Sequence, residues 1–144
     1  VALHADGTVS GWSETTSPPL EIPEGLNDVT AVAAGERFAV ALRRNGEVVS
    51  WGMAPVQPAL GQRVTAIAAA GVHVVALLED GTVRGWGGNR NQQLNWPAGL
   101  SGVVGIGASS RATALLLASD LPVFVRQPQD LAFLAGQSLS FEVE

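Results

Sequence analysis

Two histidines, four tryptophans and three Asx-Gly pairs are the residues of this 144-residue chain whose types and spacing could carry chemistry. A metal site or a general acid–base pair needs several such groups converging at one place. Aligned on the turn glycines Gly7, Gly46 and Gly81, His4 falls with Arg43 and Leu78, while His73 falls with Phe38 and Ala112. The two imidazoles therefore occupy different places in the pattern. His73 is expected to be a satisfied structural side chain, and His4 a solvated hairpin residue. Asp6, Asn45 and Asp80 each precede glycine, where a short polar side chain caps local backbone donors. Paired catalytic carboxylates would need two acids sharing one pocket, and the spacing suggests none. "GWGGN" (Gly85 to Asn89) is glycine-rich, but it leads into "RNQQLNWP" rather than a helix, so it is not read as a phosphate loop. No catalytic residue, cofactor site or metal ligand is expected.

Trp12, Trp51 and Trp86 each follow a turn glycine by five residues. A tryptophan repeated at one place in the pattern points to packing between units rather than to a sugar-stacking platform. Trp96 lies outside that register, in "NQQLNWPAGL"; as a loop aromatic it is a candidate contact residue, with a strap that closes the blade the favoured reading. The other candidates for partner contact sit on the variable loops: Asn89, Arg90, Gln92, Glu21, Glu24, Met53 and Gln57. Structural roles are assigned to Gly7, Gly46, Gly81, Trp12, Trp51, Trp86 and His73.

The elements that position these residues are written more than once. "VTAVAAGERFAVALRRNG" and "VTAIAAAGVHVVALLEDG" match without a gap, and "VVGIGASSRATALLLAS" is a worn copy without the turn glycine. Glycine spacings of 39 and 35 differ only through the loops after the tryptophans, where insertions are tolerated. Each unit reads as three strands, with a type I′ turn expected between the second and third, at the Asx-Gly pair. "FAVAL", "VVALL" and "ALLLA" are apolar at successive positions, which implies strands covered on both faces. Small antiparallel sheets stacked about an axis meet that condition. The alanine-rich first strand is expected innermost, where blades converge.

Val64 to Leu100, through Ile67, Gly71, His73, Ala76, Leu77, Asp80, Gly81, Val83, Trp86, Gly87, Asn89, Gln93 and Leu94, resembles a repeat of the regulator-of-chromosome-condensation family. Gln92 stands where that family usually has glycine, and Phe38 replaces the histidine in the preceding unit. The resemblance implies an all-β fold, a partial β-propeller with about three of the seven blades the family closes into a ring. Its expected extent is 1–118, divided as 1–26, 27–61, 62–100 and an eroded 101–118. Residues 119–122 read as a linker. Residues 123–144 resemble the opening of a bacterial immunoglobulin-like domain, adding one or two extended strands of an incomplete sandwich.

Bulk properties narrow the function. With 47 % hydrophobic and 15 % charged residues the chain can bury a core. A net charge of −5 without any lysine lacks the basic footprint of a nucleic-acid binder. Absence of cysteine excludes disulfides and thiolate chemistry. No apolar run reaches membrane-spanning length. The chain opens inside a repeat without a leader, so it is expected to be part of a longer protein. The reading is a non-catalytic repeat scaffold that binds a protein partner or an extracellular ligand. The resemblance implies a bacterial extracellular or cell-surface setting. Two alternatives remain: guanine-nucleotide exchange on a small GTPase, implied by the family's name-giving member, and a propeller lyase or hydrolase with its site at a channel mouth.

Overall fold

The structure, a computed structural model, describes residues 1–11 and 20–118. Among the described residues every regular element is a strand: β1 (Ala2–Leu3), β2 (Val9–Ser10), β3 (Val29–Ala34), β4 (Phe38–Arg43), β5 (Val48–Gly52), β6 (Val64–Ala70), β7 (His73–Leu78), β8 (Val83–Gly87), β9 (Val103–Ser109) and β10 (Ala112–Leu117). They form antiparallel sheets in chain order: β1-β2, β3-β4-β5, β6-β7-β8 and β9-β10. Trp12 and the immunoglobulin-like reading of 123–144 lie outside the described residues.

The hairpin turn differs from the type I′ expectation. Gly7, Gly46 and Gly81 have φ of 81°, 88° and 76°, while Asp6, Asn45 and Asp80 are not left-handed. The amide of each glycine donates to the carbonyl three residues earlier, on His4, Arg43 or Leu78, at 2.9–3.0 Å. The amides of those same three residues donate to Thr8, Glu47 and Thr82 across the loop, at 2.9 Å each. This is a three-residue loop, a type I turn closed by one left-handed glycine. The Asx side chain completes it: Oδ1 of Asp6, Asn45 and Asp80 accepts the amide of Thr8, Glu47 and Thr82, each at 2.9 Å. Asx-Gly is common to both turn types, and only the cross-strand pairing separates them.

Each such turn also reaches the next sheet. The glycine carbonyl accepts from the first amide of the following first strand: Gly7 from Val29 at 3.0 Å, Gly46 from Val64 at 3.4 Å, Gly81 from Val103 at 3.0 Å. A side chain on Gly81 would come within 3.1 Å of the Gly102 amide nitrogen. The glycine is thus required twice, for its φ and for the approach of its neighbour.

Apolar clusters fill the spaces between sheets. Trp51 packs with Val29, Ala39 and Ala41 against Val1, Leu3 and Val9 of the first hairpin. Trp86 lies with Phe38, Val40, Val64 and Val74 between the second and third sheets. Val75, Leu77 and Val83 meet Val103 and Leu115 between the third and fourth. Strand β3 packs on β6, and β6 on β9, whereas the third strands β5 and β8 splay apart. The small-residue first strands therefore run along the convergent edge. This is the blade arrangement of a propeller.

Coverage on both faces holds for Phe38–Leu42 and for His73–Leu78, buried at every position. It does not hold for the worn copy. There Thr113 and Leu115 are buried, while Ala114 and Leu116 are exposed. Only the face turned to the third sheet is covered among the described residues.

Candidate functional site

The blades have two unlike ends. One, the 2–3 end, carries the hairpin turns and is closed by hydrogen bonds. Arg43 donates there to the carbonyls of Asn27 (3.3 Å) and Gly25 (3.1 Å) and pairs with Glu47 at 3.1 Å. Arg63 donates to the Arg44 carbonyl at 2.7 Å. Asp6 and Asp80 accept hydrogen bonds from the side chain and then the amide of Thr8 and Thr82, which hold both carboxyls below the usual aspartate range. Those bonds are local to each turn, so these acids serve the loop.

The other, the 1–2 end, carries the turns between first and second strands and the loops that leave the tryptophan strands. Its turns touch in sequence. Glu36 N–H donates to the Gly71 carbonyl at 2.7 Å, and a side chain on Gly71 would meet the Ser110 carbonyl at 3.1 Å. The departing loops are pinned alike: Met53 N–H donates to the Arg37 carbonyl (2.9 Å) and Gly88 N–H to that of Val72 (2.8 Å). Met53 is 61 % exposed, and Val56, beside Pro55 at Gly87, is 92 % exposed. Gln57 is half-buried on the same loop.

Loop 88–102 is more built than its polarity suggests. Asn89 spends both ends of its amide internally: Oδ1 accepts from Leu94 N–H at 2.9 Å and Nδ2 donates to Asn95 Oδ1 at 2.8 Å. Gln92 has φ of 58°, a left-handed backbone at the place where the resemblance has glycine. Gln93 is buried, and its Oε1 accepts from Asn91 N–H at 3.0 Å. Trp96 is half-buried. With Leu94 it lies over Gly85, where a side chain would come within 2.6 Å of either residue. Trp96 therefore closes the space between the third sheet and the worn copy, and one edge of its ring borders a shallow depression lined by Gln92, Gln93, Asn95, Arg111 and Thr113. Arg90 is exposed.

His73 is fully buried. Its Nε2 lies 3.4 Å from Thr113 Oγ1, whose own proton goes to the Gln93 carbonyl at 2.7 Å. Nε2–H is thus the donor to Thr113, and Nδ1 has no hydrogen-bond partner among the described residues. Burial holds the imidazole below its ordinary pKa of 6.5, against a smaller upward pull from the Ala70 backbone. The ring ties the third sheet to the fourth and is shielded from solvent. The His4 ring lies 3.0 Å from Ser10 Oγ on the first hairpin, far along the chain from this network.

Of the residues expected to contact a partner, the structure gathers Met53, Arg90, Gln92 and Trp96 at the 1–2 end. Glu24 is not among them. It sits next to Gly25, which accepts from Arg43 at the opposite end, and Glu21 lies between, after Leu20 approaches Gly52. Sequence reasoning did not single out Arg37, Val72 and Arg111, which share one place in the 1–2 turns. That alignment was readable, but a valine between two arginines hides it. Among the described residues no three His, Cys, Asp or Glu side chains are placed to hold a metal ion. No helix there is long and apolar enough to cross a membrane.

Comparison with known proteins agrees with this geometry. Residues 29–53 and 64–93 match the regulator of chromosome condensation (RCC1) repeat, so both complete three-stranded sheets carry it. Similar solved structures include human WBSCR16 (TM-score 0.57, 20 % identity, 69 % of this chain and 33 % of that one). Prp20p of Saccharomyces cerevisiae has a TM-score of 0.57 at 16 % identity over 74 % of this chain and 36 % of its own. The CRINKLY WD40 ectodomain of the Arabidopsis thaliana receptor kinase ACR4 has 0.55 at 22 % over 73 % and 40 %. No curated protein matches the chain. The chain spans about a third of the length of WBSCR16 and of Prp20p. The class is therefore an all-β partial propeller. Within it, the second and third blades match the RCC1 repeat.

Proposed function

We propose that the chain is a non-catalytic blade scaffold that binds a protein partner through the loops of its 1–2 end. The observation that carries this reading is the contrast between the joints of the blades and the loops of this end. Residues between sheets are consumed by packing and by turn-to-strand hydrogen bonds, whereas Met53, Val56 and Val72 stay exposed at 61 %, 92 % and 52 %. Apolar side chains held out on a rigid frame are the usual material of a recognition surface. The setting we propose is a longer exported bacterial protein, in which 123–144 open an immunoglobulin-like domain; this rests on the resemblance of those residues. Cross-linking of the full-length protein in its native extract, read by mass spectrometry, tests the role. Partner cross-links should fall on 53–58, 72 and 88–96. Partner cross-links confined to the 2–3 end would contradict it.

A second reading, nucleotide exchange on a small GTPase, draws support from Prp20p, described with binding properties to Gsp1p and histones. Accelerated nucleotide release from a purified small GTPase would establish it, and release at the intrinsic rate would remove it.

A further inference from the structure

We infer that the 1–2 end is a docking surface for an acidic segment of a partner protein that also bears aliphatic side chains. This rests on the scaffold reading above and adds the partner's chemistry. The chain as a whole is acidic, at −5, yet its charge is unevenly placed. Among the described residues the 1–2 end carries Arg37, Arg90 and Arg111, all exposed, against Glu36. The 2–3 end carries Asp6, Asp28, Glu47, Glu79 and Asp80 against Arg43, Arg44 and Arg63, so acids outnumber bases there and bases outnumber acids at the 1–2 end among the described residues.

The arginines also differ in what they do. Arg43 and Arg63, at the 2–3 end, are committed to backbone carbonyls and to Glu47. Arg37, Arg90 and Arg111 have no side-chain hydrogen bond or ion pair among the described residues. Arg44 and Arg84 are likewise unbonded through their side chains, but only at the 1–2 end do three such guanidinium groups meet exposed apolar side chains, where they are available for carboxylates.

Apolar surface lies between them. Val72 occupies the turn position that arginine holds in the neighbouring blades, and its side chain reaches Gly88. Pro55 approaches Gly87, which brings the exposed Met53 and Val56 beside Val72. The chain of turn contacts from Glu36 to Gly71 to Ser110 makes the patch continuous. A cationic rim around exposed Met and Val suits a partner that carries carboxylates and aliphatic side chains together. Nucleic acid would match the charge but would leave Met53, Val56 and Val72 unused.

The test uses the full-length protein and a fluorescein-labelled peptide of about twelve residues alternating Glu and Leu, read by anisotropy. Arg37→Glu with Arg111→Glu should weaken binding by roughly tenfold or more, whereas Arg44→Glu with Arg84→Glu, equal in charge change, should stay within about twofold. Equal weakening by both pairs, or by neither, overturns the proposal. Met53→Ser with Val72→Ser should weaken binding by roughly fivefold, and no change would overturn the apolar half. A single-stranded oligonucleotide of similar length binding as tightly as the peptide would also overturn it. If the native partner proves basic, the scaffold reading stands and this one falls. Circular dichroism of each variant separates lost folding from lost contact.

Discussion

The joint between the second and third blades and the joint between the third blade and the worn fourth copy are built from the same plan with different parts. In the first, Gly46 accepts from Val64 and Trp86 fills the gap at 5 % exposure, while inside the third sheet Thr65 Oγ1 donates to the Leu77 carbonyl at 3.2 Å across the strand bulge. In the second, Gly81 accepts from Val103 in the same way, but no tryptophan from a third strand enters among the described residues. The gap is filled from the loop by Leu94 and the half-buried Trp96, and Val104 stands where threonine was. A polar link, His73 to Thr113 to Gln93, is added. The turn-to-strand hydrogen bond is the constant part of a blade joint, and the apolar filling is interchangeable.

Four variants sharpen that contrast, beginning with the largest effect. Trp86→Ala should cost about 3–5 kcal/mol in denaturant unfolding, as expected for a buried aromatic; Trp96→Ala, half-buried, should cost about 1–2 kcal/mol. Equal losses would mean that the two joints are filled alike. Gly81 and Gly99 share φ near 76° and 77°, but only Gly81 has a neighbour against its missing side chain. Alanine at Gly99 should therefore cost about 1 kcal/mol for the left-handed backbone alone, and at Gly81 about 2–3 kcal/mol. A null difference would remove the close-approach role of the turn glycine.

The polar link should make the second joint acid-sensitive. Because the folded-state pKa of His73 is lowered, the unfolded chain binds the extra proton below the ordinary value of 6.5. Stability is thus intact above about 6.5 and declines as pH falls beneath it. His73→Phe, the residue found at the equivalent Phe38, should flatten that acid limb in melts between pH 7 and 5 while leaving the Thr113 to Gln93 bond in place. An unchanged slope would place the sensitivity elsewhere. The smallest effect belongs to Val104→Thr, which restores the bulge threonine opposite the Leu116 carbonyl and should gain at most about 0.5–1 kcal/mol in unfolding measurements.

The repeat pattern carried the strands, their pairing order and the placement of Trp51 and Trp86, because periodic apolar spacing and Asx-Gly pairs are local signals. What it missed was long-range. Asx-Gly does not reveal whether two or three residues close the hairpin; His4, Arg43 and Leu78 pairing with Thr8, Glu47 and Thr82 decides that. "ALLLA" looks like a strand covered on both faces, yet Leu116 is 48 % exposed, since burial depends on which blade stands opposite. The loop aromatic Trp96 reads as a strap or a contact residue, and it packs as the strap; that Asn89 and Gln93 spend their side chains holding the loop together is not visible in its polar composition. At the 1–2 end, only the contact of successive turns reveals that Arg37, Val72 and Arg111 form one surface.

Hydrogen exchange at the first amide of each blade reads the turn-to-strand joint most directly. The amides of Val29, Val64 and Val103, bonded to Gly7, Gly46 and Gly81, should exchange as slowly as those of core residues Val40 and Val75, through global unfolding. Amides of the 54–60 loop should exchange far faster. If the three valines exchange at the loop's rate instead, the blades are not joined through their turns.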